Sequence, residues 1–300
     1  MRTVDYLSIC DAGLMDKPFL ASIYNEAWRE QFRRNILALP DNALLGWPMG
    51  YYLPILHSIH PAFYPADTQM RIEAGLAVLR KQVNETEWGE LASRLRVGDS
   101  LVACDELLAA AAFAGEFGDS TIKWPAAPKG QRRPEFFVEI CNARWAVECK
   151  ALRDNERVRE LNATMLATGE PWVASFVPNH DSNRLCRELL NKIKRAQGGS
   201  AAVVLVDSQT PFLTPDMMEE EVRRVLCSPS KLDLMPEQLP IAVACLTFTI
   251  VQGVWFCQAA CDRHGIDPSI RERVRDAITC GFVPRGDGMV RSEQRWPCRE

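Results

Sequence analysis

Between Arg133 and Leu152 the chain reads RPEFFVEICNARWAVECKAL, two apolar runs separated by CNAR that carry Glu135, Glu139, Glu148 and Lys150. Charges in a half-buried sheet cost free energy unless they are paired or bound to something. Alternation along a strand sets Glu148 and Lys150 on one face and Trp145, Val147 and Cys149 on the other. Two carboxylates brought together with an ammonium have two chemical uses. They form a structural ion-pair cluster, or the carboxylates hold a hard divalent cation such as Mg²⁺, which takes oxygen ligands without a full protein cage. In the second case the ion relieves carboxylate repulsion, stabilises charge on a phosphoryl group and lowers the pKa of a bound water. A neighbouring lysine then orients that water or neutralises the phosphate.

These residues converge only if the two runs pair as an antiparallel hairpin. With the turn at Asn142-Ala143, or over Cys141 to Arg144, Ile140 faces Trp145, Phe137 faces Glu148 and Glu135 faces Lys150. A three-residue loop would slip the register and scatter the group. The flanking pattern supplies the frame. SLVACDELLAAAAFAGEF predicts a helix apolar nearly all round, buried between layers. STIKW predicts a short strand, and DSNRLCRELLNKIKRAQGG an amphipathic helix with Leu185, Leu189, Leu190 and Ile193 inward. AAVVLVD has the continuous apolar character of a parallel strand. Residues 1–97 carry helical spacing in KPFLASIYNEAWREQFRRNILAL and DTQMRIEAGLAVLRKQV, and Asn84 with Glu87 opens a further helix as a capping box. After TPDMMEEEVRRVL, another helix, Leu239 to Cys261 runs 23 residues without a charge. That is long enough to span a bilayer. Its threonines, glutamines, β-branched and aromatic residues predict instead two buried strands with a turn at VQG.

PEFFVEICNARWAVECK resembles the active-site hairpin of the PD-(D/E)XK nuclease superfamily, the restriction-endonuclease-like fold. Pro134-Glu135 stands at the PD element, with Glu replacing the usual Asp, and Glu148-Cys149-Lys150 at the (D/E)XK element. The order helix, three strands, helix, strand over residues 100–207 matches that fold's core. The resemblance implies an α/β protein with an αβββαβ core and a mixed central sheet. With the periodicity of the flanking segments, the chain is expected to divide into an N-terminal helical region (1–97), a nuclease-like domain (98–260) and a C-terminal helix with an Arg-rich tail (261–300). The resemblance also implies a metal-dependent nuclease, an endonuclease on nucleic acid, with DNA favoured over RNA. Glu135 and Glu148 would bind Mg²⁺ or Mn²⁺, with the Cys149 carbonyl as a further ligand. Glu106, on the first core helix, would hold the metal from its side, with Asp105 as the fallback. Lys150 would position the attacking water or stabilise phosphate charge. The alternative is a catalytically inactive member of the same fold that binds nucleic acid or protein.

The net charge of −4 does not advertise a nucleic-acid partner, but its distribution is uneven. Lys123 to Arg159 holds nine Lys/Arg against five Asp/Glu, and Arg184 to Arg195 five against one. Lys129, Arg132, Arg133, Lys192, Lys194 and Arg195 are the candidates for phosphate contacts, which need charge but no base-specific geometry. Gln197 is the candidate to approach the site from the second helix. A homodimer or a partner protein is compatible with this reading. Eleven scattered cysteines suit a reducing compartment better than a disulfide framework. Asp5, Asp11 and Asp16 interrupt any signal-peptide core, so a cytoplasmic, non-membrane protein is expected. His57 and His60 lack nearby ligands, and Cys257, Cys261 and His264 lack a fourth zinc ligand. No phosphate-cradling glycine loop and no serine nucleophile elbow is present.

Overall fold

The computed structural model describes residues 14–38, 66–96, 100–125, 134–152, 178–195, 201–208, 213–228, 234–247 and 250–282. The chain divides into two compact units, Met1–Leu107 with Asp154–Ser175, and Leu108–Arg153 with Phe176–Glu300. The division falls inside one helix, Ser100–Phe117.

The described part of the first unit is helical: α1 (Pro18–Ile23), α2 (Glu26–Leu37), α3 (Ala66–Arg80), α4 (Glu85–Arg96) and the start of α5 (Ser100–Phe117). The first helical run breaks after Ile23 because Asn25 turns its side chain back to cap α2, accepting from the Trp28 N–H at 3.0 Å. Glu73 of α3 satisfies the start of α1, its carboxylate accepting from the N–H groups of Phe19 at 2.7 Å and Leu20 at 2.9 Å. Tyr24 is fully buried and donates its hydroxyl to the Leu95 carbonyl. At α4 the expected capping box forms reciprocally, with Asn84 and Glu87 each accepting the other's N–H at 3.0 Å.

The second unit is built on a six-stranded mixed sheet: β1 (Ile122–Lys123), β2 (Phe136–Ile140), β3 (Ala143–Leu152), β4 (Ala201–Ser208), β5 (Ala242–Thr247) and β6 (Ile250–Phe256). The strands lie in that spatial order. β3, β4 and β5 run parallel, and the outer pairs β1–β2, β2–β3 and β5–β6 are antiparallel. Helices α6 (Pro178–Arg195), α7 (Pro215–Cys227), α8 (Gln258–Arg263) and α9 (Pro268–Gly281) accompany it, making nine helices among the described residues. The protein is α/β. The crossover helix α6 packs on both strands it connects, β3 and β4. Its buried residues Leu185, Leu189 and Ile193 lie along one stripe.

The uncharged run forms β5, β6 and the beginning of α8, with one difference from expectation. Val251, Gln252 and Gly253 lie within β6 rather than at a turn. Cys245 pairs with Gly253 and Leu246 with Val251, which leaves Gln252 as the extra residue of a bulge. Gly253 is needed for close approach, since a Cβ there would fall 2.2 Å from the Trp255 ring. No helix among the described residues is long and apolar enough to cross a membrane.

Candidate functional site

The hairpin that carries the carboxylates turns one residue earlier than expected. Cys141 and Asn142 both have positive φ, 50° and 61°, which is the backbone of a two-residue hairpin turn whose twist matches its strands. Ile140 therefore pairs with Ala143, Val138 with Trp145 and Phe136 with Val147. This register sets Glu139 opposite Arg144 on the exposed side, and the Arg144 guanidinium lies 3.9 Å from the centroid of the Phe137 ring. With the turn at Asn142-Ala143, Arg144 would have faced Cys141 and lost the cross-strand partner of opposite charge. The pairing slips by an even number of residues, so every side chain keeps its face. Phe136, Val138, Ile140, Trp145, Val147 and Cys149 are buried on one side, and Glu148 and Lys150 share the other. Cys149 turns its thiol away from Glu148, leaving only its backbone carbonyl as a candidate ligand.

On the Glu148 face the ammonium between the carboxylates belongs to Lys192 of α6, not to Lys150. Lys192 Nζ donates to Glu135 Oε1 at 2.7 Å and to Glu148 Oε2 at 2.8 Å. Those two carboxylate oxygens are thus no farther apart than the sum of these distances. Lys192 is 6% exposed and Glu148 only 1%, while Glu135 remains half-buried. Burial works against the Lys192 ammonium, but the charges of Glu135 and Glu148 and their hydrogen bonds outweigh it and hold its pKa above the ordinary lysine value. Lys150 Nζ pairs at 3.3 Å with Glu188 Oε2, one helical turn before Lys192. Residues i and i+4 of the helix therefore meet residues i and i+2 of the strand, with opposite charges matched at both points.

Glu188 and the inward placement of Lys192 were not expected from the sequence, although a signal for the second existed. Lys192 follows Leu185 by seven residues and Leu189 by three, which sets it within the apolar stripe of α6. Lys192 is thus buried in the cluster rather than displayed as a surface phosphate contact. Glu106, on the part of α5 in the first unit, is also buried and is gripped at two points by Arg94, with Nη1 2.8 Å from Oε2 and Nη2 on Oε1. Asp105 beside it is buried. Lys129, Arg132, Arg133 and Gln197 lie outside the described residues, as do the side chains of Lys194 and Arg195 and the His57–His60 pair.

Two carboxylates converging on one buried point form a donor set suited to a hard cation, and an ammonium already stands there. The set fits Mg²⁺ or Mn²⁺ provided Lys192 yields that position. Among the described residues no three His, Cys, Asp or Glu side chains gather into a metal-holding group. Water would therefore complete the coordination, as Mg²⁺ commonly requires. Comparison with protein-family models, with curated proteins and with solved structures gave no match to the chain.

Proposed function

We propose that the chain is a Mg²⁺- or Mn²⁺-dependent nuclease, an endonuclease on nucleic acid with DNA favoured over RNA, and that α5-β1-β2-β3-α6-β4 is a restriction-endonuclease-like core. The observation that carries the reading is the convergence of Glu135 and Glu148 on one buried cationic point. These two carboxylates, with the Cys149 carbonyl, would hold the ion. When bound, the ion supplies a water of lowered pKa and positive charge at the phosphoryl group. Lys150 stands two residues from Glu148 on the same face, and its side chain is a third exposed. Glu188 fixes the direction of that ammonium, which can hydrogen-bond a phosphate oxygen or orient the attacking water. Arg187, exposed beside Glu188, adds positive charge for the nucleic-acid backbone.

A second reading, an inactive member of the same fold, is favoured by one observation: the Lys192 ammonium already bridges the two carboxylates. The test is a cleavage screen on single- and double-stranded DNA and RNA with Mg²⁺ or Mn²⁺ and an EDTA control, run beside thermal melts. The nuclease reading expects metal-dependent cleavage and a melting temperature raised by Mn²⁺. Metal-independent melts and no cleavage of any substrate would leave the inactive reading standing.

A further inference from the structure

We propose that Lys192 is a built-in counter-ion that a divalent cation must displace, so that metal entry and withdrawal of this side chain are one exchange. The inference rests on the nuclease reading and deepens it. Its basis is positional. One ammonium contacts an oxygen of each carboxylate at 2.7 and 2.8 Å, so it occupies the point on which a shared ion would have to sit. With Lys192 6% and Glu148 1% exposed, there is little solvent through which a hydrated ion could reach the Glu148 carboxylate while the ammonium stays. An ammonium and a divalent cation cannot share one point between the same two oxygens, since like charges in contact repel strongly away from water. Lys192 lies near the C-terminal end of α6, which ends at Arg195. Its four-carbon stem can swing the head toward solvent without moving the helix, as long basic side chains do.

In the free protein the Lys192 ammonium offsets one of the two carboxylate charges and holds the pair close together. The cost is a lower apparent metal affinity, because only molecules with Lys192 withdrawn are competent to bind.

Two measurements test it. Mn²⁺ titration calorimetry on the wild type and on Lys192→Met, an apolar residue of similar length, compares affinities directly. If withdrawn Lys192 is populated at about a tenth or less, the variant should bind Mn²⁺ roughly tenfold more tightly or better. Amine-acetylation footprinting on the wild type needs no variant and decides the matter should Lys192→Met fail to fold. Lys192 should be protected in EDTA and become several-fold more reactive at saturating Mn²⁺, while exposed Lys81 stays constant. Equal or weaker Mn²⁺ binding by a folded Lys192→Met overturns the exchange, as does a Lys192 that stays protected in metal-saturated wild type; metal-dependent cleavage persisting beside either result keeps a nuclease, but in the second case with its ion off the point between the two carboxylates. A wild type that binds no Mn²⁺ at all removes both.

Discussion

Deleting the charge of Lys192 removes the cation that bridges Glu135 and the almost wholly buried Glu148. Lys192→Met should therefore destabilise the metal-free protein by roughly 3 kcal/mol, the range for breaking a buried pair. Lys150→Ala should cost under about 1 kcal/mol, because the Lys150–Glu188 pair is partly exposed and solvent-screened. Under the proposed function the order for cleavage differs: Lys150→Ala removes most of the rate while leaving Mn²⁺ binding nearly intact. Urea melts alongside single-turnover cleavage check both halves. A Lys150→Ala protein with full cleavage would contradict the role given to that residue. The strand pair Glu148 and Lys150 was legible in the sequence because period-two alternation fixes the face of a side chain. The helix pair was not, since a charge count treats Lys192 and Glu188 as solvated. Only their position relative to Leu185, Leu189 and Ile193 marks the first as inward.

At the scale of elements, the hairpin turn places Cys141 at φ 50°, a conformation that asparagine tolerates far better than cysteine. Cys141→Asn should raise stability by roughly 0.5–1 kcal/mol without altering the Glu135–Glu148 geometry, readable as a shifted denaturant midpoint at unchanged slope. The hairpin itself could be read from sequence, but its register could not. The choice between two turns of equal length depends on cross-strand pairing of Glu139 with Arg144, which appears only once both registers are laid out. The glycine in VQG misled for a related reason: glycine marks close packing as well as turns, and here it faces Trp255. Helix α9 offers a pH test. Asp267 caps it, its Oδ1 accepting from the Ser269 hydroxyl at 2.5 Å and from the Ser269 and Ile270 N–H groups. The Ser269 hydroxyl, then the Ile270 N–H, hold its pKa below the ordinary carboxylate value. A depressed folded pKa means stability that is present above the unfolded value and lost as pH falls through the folded one. Asp267→Asn keeps the acceptor and drops the charge. The wild-type advantage over it should be constant from neutral pH to about 5 and shrink below about 4, as measured by melts across that range.

For the whole molecule, an isoelectric point near 5.7 and a net charge of −4 mean that any nucleic-acid contact must be local. Binding should then be steeply salt-dependent, and Arg187→Ala, removing an exposed charge of α6, should lower the slope of log affinity against log salt by about 1. Fluorescence anisotropy with a DNA duplex over a salt series measures it, and an unchanged slope would place the contact surface elsewhere. The sheet carries a further consequence, for the order of assembly. β2 and β3 are joined by two residues, whereas β3 reaches its parallel neighbour β4 only after a connection of roughly fifty residues that includes α6. The local pair can close in microseconds, long before the crossover is complete. Glu135 and Glu148 are thus juxtaposed early in folding, while the lysine that bridges them is still on an undocked helix. The nascent hairpin carries its own electrostatic brake. Refolding followed by stopped-flow should quicken as added salt screens that repulsion, and the acceleration should disappear in Glu135→Gln.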